Sequence, residues 1–304
     1  MIYSVLHRTT YDYEDPVSVS HHLVRLTPRN LPGQVCRESK ISIAPAPAVT
    51  TTHTDYFGNI ETFFTLQEPH ECLIVDAIST LELNSVAQPD FSTSPPWESV
   101  VAALPGDHGT EGLDAYQFVF GSERAGTSRE FADYARDAFA AGRPVLQAVF
   151  DLMSQIHRDF SFDKKATEVS TPVEAFFEKR RGVCQDFAHM QIACLRSLGL
   201  AARYVSGYLR TQPPPGRPRL VGADASHAWC SAWCPGVGWI DFDPTNNCVP
   251  TDGHITLAWG RDYTDVSPIH GVLLGGAKHT LDVGVDVTPI SAAGSPRAPF
   301  AKSE

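Results

Sequence analysis

The stretch "EKRRGVCQDFAHMQIACLRSLGLAARYVSGY", residues 178–208, holds two cysteines on one predicted helix. Apolar residues recur along it at intervals of three and four, which indicates a helix face that packs against a core. These residues are Phe187, Met190, Cys194 and Leu198. Cys194 belongs to this face and is predicted to be a packing residue. Cys184 precedes the face and stands just behind Gly182, at the predicted start of the helix.

The position of Cys184 suits a reactive thiol. The first turn of a helix has unpaired N–H groups and the positive end of the helix dipole. Both favour the thiolate, which is the nucleophilic form of cysteine. The alternative is an inert thiol, because free cysteine is among the residue types most often buried. A nucleophilic cysteine also needs a base and a group that orients the base.

A second stretch supplies both of these partners. In "SHAWCSAWCPGVGWIDFDPTNN", residues 226–247, two strand-like runs flank a turn around Gly236. If the turn closes a hairpin, Trp229 faces Asp243, and His227 lies diagonal to Asp243 on the same face of the pair. A carboxylate in that position would orient the imidazole. Asp241 lies on the same face and is the rival candidate.

Four segments in this order, "RGVCQDFAH", "ARYVSGYL", "DASHAW" and "GWIDFDPTN", resemble the transglutaminase-like superfamily, in particular its bacterial members. The segments "YDYEDPVSVSHHLVRLTPR" and "DYFGN" resemble the β-rich N-terminal region that accompanies the core in those proteins. The resemblance implies a papain-like fold. It also implies that Cys184 is the nucleophile, His227 the catalytic histidine and Asp243 the aspartate that orients it.

The predicted fold class is therefore α+β, with a β-rich N-terminal domain followed by a papain-like, transglutaminase-type catalytic domain. Strand-like segments with turn signals predict the first domain over residues 1–85. Residues 86–112 are rich in Pro, Ser and Gly and are interpreted as a linker. The catalytic domain with a C-terminal strand is predicted over 113–290, and a disordered tail over 291–304.

Local signals place several helix boundaries in the second domain. Ser128 is predicted to cap the first long helix, and Pro144 to open the second. Thr171 is predicted to cap a third helix, with Glu174 three positions later as in a capping box. Gly182 is predicted to end that helix and to turn the chain into the helix that carries Cys184.

Composition restricts the class of partner. The net charge of -11 argues against nucleic acid, whose phosphates need clustered Lys and Arg. No apolar run reaches the length of a membrane span. The start lacks a secretory pattern and the seven cysteines are scattered, so a cytoplasmic protein with free thiols is predicted. Cys36, Cys72 and Cys248 are interpreted as structural or incidental.

The predicted reaction is cysteine-dependent acyl chemistry on an amide bond, without a cofactor or a metal. Hydrolysis of a peptide or protein is preferred, transfer of the acyl group to an amine is the alternative, and a non-catalytic scaffold is the alternative of another class. A zinc site is a further alternative, because Cys230 and Cys234 are close to His227 in sequence. Alternation argues against it, since it puts both cysteines on the opposite face of the strand. The substrate and the oligomeric state stay open.

Overall fold

A computed structural model of the protein describes residues 1–210 and 225–290. Within these ranges the strands are β1 (Ile2–Val24), β2 (Gln34–Ala44), β3 (Val49–Thr54), β4 (Ile60–Leu66), β5 (His70–Leu83), β6 (Ser161–Phe162), β7 (Arg181–Gly182), β8 (Ala202–Leu209), β9 (Ala225–Cys234), β10 (Gly238–Phe242), β11 (His254–Gly260), β12 (Ile269–Gly275) and β13 (His279–Pro289). The α-helices are α1 (Trp97–Ala103), α2 (Thr110–Tyr116), α3 (Arg129–Ala135), α4 (Val145–Asp159), α5 (Val173–Lys179), α6 (Cys184–Ser197) and α7 (Tyr263–Val266). The predicted tail, 291–304, and the segment "TQPPPGRPRLVGAD", 211–224, lie outside the described residues.

The larger sheet is built around β1, a single strand of 23 residues. Its order is β2-β5-β1-β4-β3, and β12 and β13 also pair with β1. Tyr3, Val5, His7 and Thr9 are all buried, because alternate residues of a strand face the same side. Because β1 pairs antiparallel with four other strands, it is the centre of the N-terminal half of the fold.

The two halves of the chain are interleaved. The C-terminal strand, which the sequence analysis grouped with the catalytic domain, pairs with β1 from Tyr3↔Pro289 to Tyr13↔His279. The predicted linker, 86–112, contains α1 and the start of α2, and its residues Val100 and Leu104 are buried. Buried apolar side chains from both halves form one continuous cluster. None of these features can be read from local sequence, because they depend on contacts between distant segments.

The second sheet is antiparallel, with the order β10-β9-β8-β11, and α6 packs against β9. Residues 185–196 of α6 are all buried, so the helix is enclosed on every side and not only along the predicted apolar face. Its buried Arg196 donates to the carbonyl oxygens of Phe118, Ala202 and Arg261. These bonds compensate the burial of the guanidinium and join the end of α6 to three other segments.

The start of α6 is set by close packing. The helix α5 ends at Lys179, and Arg180 adopts the left-handed conformation with φ of 57°. The prediction that Gly182 ends this helix is therefore wrong, since Gly182 lies in β7. A Cβ on Gly182 would lie 2.4 Å from Oδ2 of Asp186 and 2.7 Å from the ring of Phe176. Glycine is needed here because two side chains contact its backbone.

Of the other helix-boundary predictions, those for Ser128 and Pro144 are confirmed and the one for Thr171 is wrong. Ser128 caps α3, because its side chain accepts from the N–H of Phe131 at 3.2 Å. Pro144 immediately precedes α4, as predicted. Thr171 does not cap α5, because Pro172 occupies the capping position and Thr171 accepts from the N–H of Glu168 instead.

Among the described residues, no helix combines the length and the apolar character that a membrane crossing requires.

Candidate active site

Cys184 is the first residue of α6 and is half-buried, in contrast to the fully buried positions that follow it. The turn before it is braced by Asp186, whose Oδ2 accepts from the N–H of Val183 at 2.8 Å and from the hydroxyl of Thr167 at 2.6 Å. Burial raises the pKa of Asp186, and these two hydrogen bonds oppose the shift. The backbone N–H of Cys184 has no partner within its own helix, as is general for a first turn.

The hairpin of β9 and β10 has the predicted register. Trp239 pairs with Trp233 and Asp241 pairs with Ser231, so the turn centres on Gly236. Asp243 follows two residues later, where the chain leaves β10. The Nε2 atom of His227 lies 2.7 Å from Oδ2 of Asp243.

The thiol of Cys184 interacts with the same histidine. Its hydrogen-bonding and charge effects are among the causes that raise the pKa of His227. Since Nε2 of His227 contacts Asp243, Nδ1 is the ring nitrogen left for the thiol. The structure therefore brings together the three residues that the sequence analysis selected, with His227 in the middle.

The rival carboxylate has a different environment. Oδ2 of Asp241 accepts from Nε1 of Trp229 at 3.0 Å, and Oδ1 accepts from the hydroxyl of Ser231. These contacts tie together neighbouring side chains of one hairpin. The geometry thus separates two aspartates that lie on the same predicted face, because only Asp243 contacts the imidazole of His227.

The carboxylate of Asp243 is fully buried and accepts five hydrogen bonds. Its Oδ1 accepts from the backbone N–H groups of Thr245 and Asn246, at 3.0 and 3.1 Å. Its Oδ2 accepts from His227, from Nδ2 of Asn246 at 2.7 Å and from Nε2 of His254 at 3.0 Å. A buried charge requires such compensation. The five donors hold the carboxylate in one orientation.

This environment shifts the ionisation of the pair in opposite directions. Burial alone would lower the pKa of His227, but the hydrogen bond and charge of Asp243 and the contact with Cys184 outweigh it and raise the pKa to about 10. Burial likewise opposes the charge of Asp243, yet the donors from His227, His254 and Asn246 bring its pKa well below the usual range. The arrangement therefore favours an imidazolium between the Asp243 carboxylate and the sulfur of Cys184.

Comparison with known proteins gives the family. Residues 3–82 match the bacterial transglutaminase-like N-terminal region, and residues 132–244 match the transglutaminase-like superfamily. The second range includes Cys184, His227 and Asp243. An uncharacterized protein of Mycobacterium tuberculosis (strain H37Rv) is 40% identical over 296 residues, which cover 94% of this chain and 92% of that protein. The chain belongs to the transglutaminase-like superfamily.

Two further relatives extend the comparison. A crystal structure of a candidate cysteine protease from Cytophaga hutchinsonii aligns over 100% of this chain and 94% of that one, with a TM-score of 0.74 and 21% identity. At this identity the likeness concerns the fold, and it confirms the predicted α+β, transglutaminase-like class. A protein-glutamine gamma-glutamyltransferase of Pseudomonas aeruginosa is 32% identical over 135 residues, which are 43% of this chain and 20% of that enzyme.

The geometry of this transglutaminase-like core also does not favour the zinc site that the sequence argues against. Cys230 and Cys234 are buried on the face of β9 opposite His227, and their sulfur atoms contact the carbonyl oxygens of Phe242 and Pro235. Among the described residues a different trio, His227, Asp243 and His254, has donor atoms within 4.8 Å of one another. Hydrogen bonds at 2.7 and 3.0 Å account for that grouping, so we interpret it as a hydrogen-bonded network.

Sequence reasoning missed two members of the network. Asn246 lies three residues after Asp243, and an Asx residue after an Asp-Pro pair is a signal for a turn that folds back on the aspartate. His254 begins β11, and the sequence contains no local cue that it meets Asp243. Its position depends on how β11 lies in the sheet.

Proposed function

We propose that this protein cleaves amide bonds of a peptide or protein through a covalent thioester on Cys184. The observation that carries the proposal is the 2.7 Å hydrogen bond between His227 and Asp243, together with the interaction with the Cys184 thiol that contributes to the raised pKa of His227. Membership of the transglutaminase-like superfamily supports the same reading, because its enzymes depend on a cysteine.

In the first half of the reaction the Cys184 sulfur attacks the carbonyl carbon of the substrate as a thiolate, paired with the His227 imidazolium. A C–S bond forms, and the carbonyl electron pair moves to the oxygen. The unpaired N–H of Cys184 at the start of α6 is one donor for that oxyanion. When the tetrahedral intermediate collapses, the C–N bond breaks and His227 gives its proton to the departing amine. Asp243 orients His227 and stabilises its imidazolium form.

In the second half the thioester meets an acceptor. His227, now neutral, removes a proton from water, and the hydroxide attacks the thioester carbon. The C–S bond then breaks and releases the acid product and the Cys184 thiolate, while His227 keeps the proton as the imidazolium. We prefer hydrolysis, because many bacterial members of the superfamily resemble proteases. The likeness to a protein-glutamine gamma-glutamyltransferase over 135 residues favours an amine acceptor as the second candidate. Both outcomes require the same thioester on Cys184.

The test is product analysis by mass spectrometry with a peptide mixture that contains glutamine, together with a biotinylated primary amine. The wild type is expected to yield cleaved or deamidated peptides if water is the acceptor, and amine-linked peptides if transfer occurs. Cys184→Ala is expected to yield neither while it stays folded. The matched control is Cys194→Ala on the same helix, which removes a fully buried thiol and is expected to keep turnover.

Selective alkylation covers the case in which the mixture contains no substrate. Iodoacetamide at neutral pH is expected to label Cys184 ahead of Cys36 and Cys248, which are equally half-buried but whose pKa values burial raises. His227→Ala is expected to remove this preference. Turnover by Cys184→Ala at the wild-type rate would contradict the role of Cys184 as the nucleophile, and labelling of Cys184 no faster than of Cys36 would favour the non-catalytic scaffold.

A further inference from the structure

His254 reaches the site from the far edge of the sheet. The strand order is β10-β9-β8-β11, so Asp243, just after β10, and His254, at the start of β11, belong to opposite edges. Their side chains nevertheless meet, with Nε2 of His254 3.0 Å from Oδ2 of Asp243. The same oxygen accepts from His227 on β9. Oδ2 of Asp243, just after β10, is therefore hydrogen-bonded to residues of two other strands, His227 on β9 and His254 on β11.

A glycine on the strand between them makes this meeting possible. Gly207 of β8 pairs with His227, and a Cβ there would lie 2.0 Å from the carbonyl oxygen of Ile255 and 2.5 Å from the ring of Trp229. The Trp229 ring thus packs against the bare backbone of β8. It contacts His254 edge to face, with centroids 5.2 Å apart and planes at 83°. This packing seats the imidazole of His254.

The strand that carries His254 is itself held by the N-terminal half. The carboxamide of Gln34 donates to the carbonyl of Thr256 at 2.8 Å and accepts from its N–H at 2.9 Å. The carboxamide of Asn59 does the same for Trp259, at 2.8 and 2.9 Å. Two side chains therefore satisfy the edge of β11 as a neighbouring strand would. They fix the backbone from which His254 extends.

The hydrogen-bond inventory of His254 defines its tautomer. Its Nε2 contacts the carboxylate and must carry a proton to bond it, because Asp243 is only an acceptor. Its Nδ1 is buried, with no hydrogen-bond partner among the described residues. A proton on Nδ1 would be a buried unsatisfied donor, which is costly. The neutral Nε2–H tautomer leaves only a lone pair there.

We propose that His254 is a positioning residue, whose Nε2–H holds the Asp243 carboxylate in the orientation that His227 requires. The proposal rests on the function proposed above. Asn246 also donates to Oδ2, but it lies in the same turn as Asp243 and moves with it. His254 comes from a separate strand and ties the carboxylate to the body of the sheet. The hydrogen bond from His254 also lowers the pKa of Asp243, which keeps the carboxylate charged opposite the imidazolium.

Two substitutions separate the hydrogen bond from the packing. His254→Phe keeps an aromatic ring against Trp229 but removes the donor. His254→Gln keeps an N–H near the position of Nε2. We expect His254→Phe to lower kcat by about 10- to 100-fold with KM within about twofold, because it removes a hydrogen bond to a charged group. His254→Gln is expected to stay within about fivefold of the wild type. His270→Gln, an exposed histidine on β12, is the matched control.

A spectroscopic readout makes the test independent of turnover. In protein labelled with 15N-histidine, His254 is expected to be a neutral Nε2–H tautomer, and the Nε2–H proton of His227 should resonate far downfield. His254→Phe should move that His227 resonance, since Oδ2 then accepts one bond fewer, and His254→Gln should largely restore it.

The outcomes separate the two proposals. If His254→Phe retains the wild-type kcat, or if the His227 resonance does not move, the positioning role is wrong even though Cys184-dependent turnover stands. If the wild type shows no Cys184-dependent turnover, the proposed function fails, while the tautomer and the resonance still report whether His254 holds Asp243.

Discussion

Buried histidines in the two sheets of this molecule behave in opposite ways. His7 in the larger sheet bonds Oγ1 of Thr9 at 2.8 Å, and burial lowers its pKa to about 4, although the charge of Asp76 opposes the shift. His227 in the smaller sheet is almost as buried, yet its pKa is raised to about 10. The difference is direct contact with a carboxylate. Burial by itself removes charge from a histidine, whereas a hydrogen-bonded aspartate keeps the charge inside the protein.

The Asp243 carboxylate is the group that makes His227 different, so its removal gives the largest expected effect. Asp243→Asn should lower kcat roughly 100- to 10,000-fold, because the amide cannot stabilise the imidazolium or hold the same tautomer. Asp241→Asn should leave kcat within about threefold. It should lower the free energy of unfolding by about 1–2 kcal/mol through weakened bonds to Trp229 and Ser231. Steady-state kinetics and urea unfolding check both variants.

Equal losses of kcat in the two variants would contradict the assignment of Asp243. They would indicate that the hairpin as a whole, and not one carboxylate, supports activity.

The raised pKa of His227 predicts an alkaline loss of stability. The folded protein holds this proton up to pH of about 10, whereas an exposed histidine releases it near 6.5. The stabilisation is therefore complete below pH 6.5 and is lost as the pH rises towards 10. The loss should be on the order of 3–5 kcal/mol, at about 1.4 kcal/mol for each pKa unit. Urea unfolding between pH 6 and 10 measures it.

His227→Gln is the comparison for that experiment. Its free energy of unfolding should be lower at pH 6 and should change little up to pH 10. A wild type with the same flat profile as the variant would show that His227 carries no proton in the folded protein.

His7 predicts a smaller loss on the acid side. Because burial lowers its pKa to about 4, the unfolded chain binds a proton below pH 6.5 that the folded chain does not. The stability that His7 contributes is present above pH 6.5 and is lost as the pH falls towards 4, by about 2–3 kcal/mol. His7→Gln should reduce the slope of the unfolding free energy in this window. The exposed His270→Gln should leave that slope unchanged, and a slope equal in all three proteins would contradict the role of His7.

Sequence reasoning selected the candidate site because its residues belong to short local patterns. The position of Cys184 at a helix start follows from the apolar spacing behind it, and the separation of His227 from Asp243 follows from one turn at Gly236. The hairpin register predicted from that turn is confirmed by the pairing of Asp241 with Ser231. These are contacts over a few residues, where alternation and turn geometry leave little freedom.

What the sequence by itself determined is thus the cysteine, the hairpin and the α+β class. Only the tertiary structure decided that the C-terminal strand pairs with β1, that α6 is enclosed on all sides, and that His254 crosses from the opposite edge to meet Asp243. The physical reason is the same in each case. These contacts join segments far apart in the chain, and they form where shape and unsatisfied polar groups fit each other, which no local period encodes.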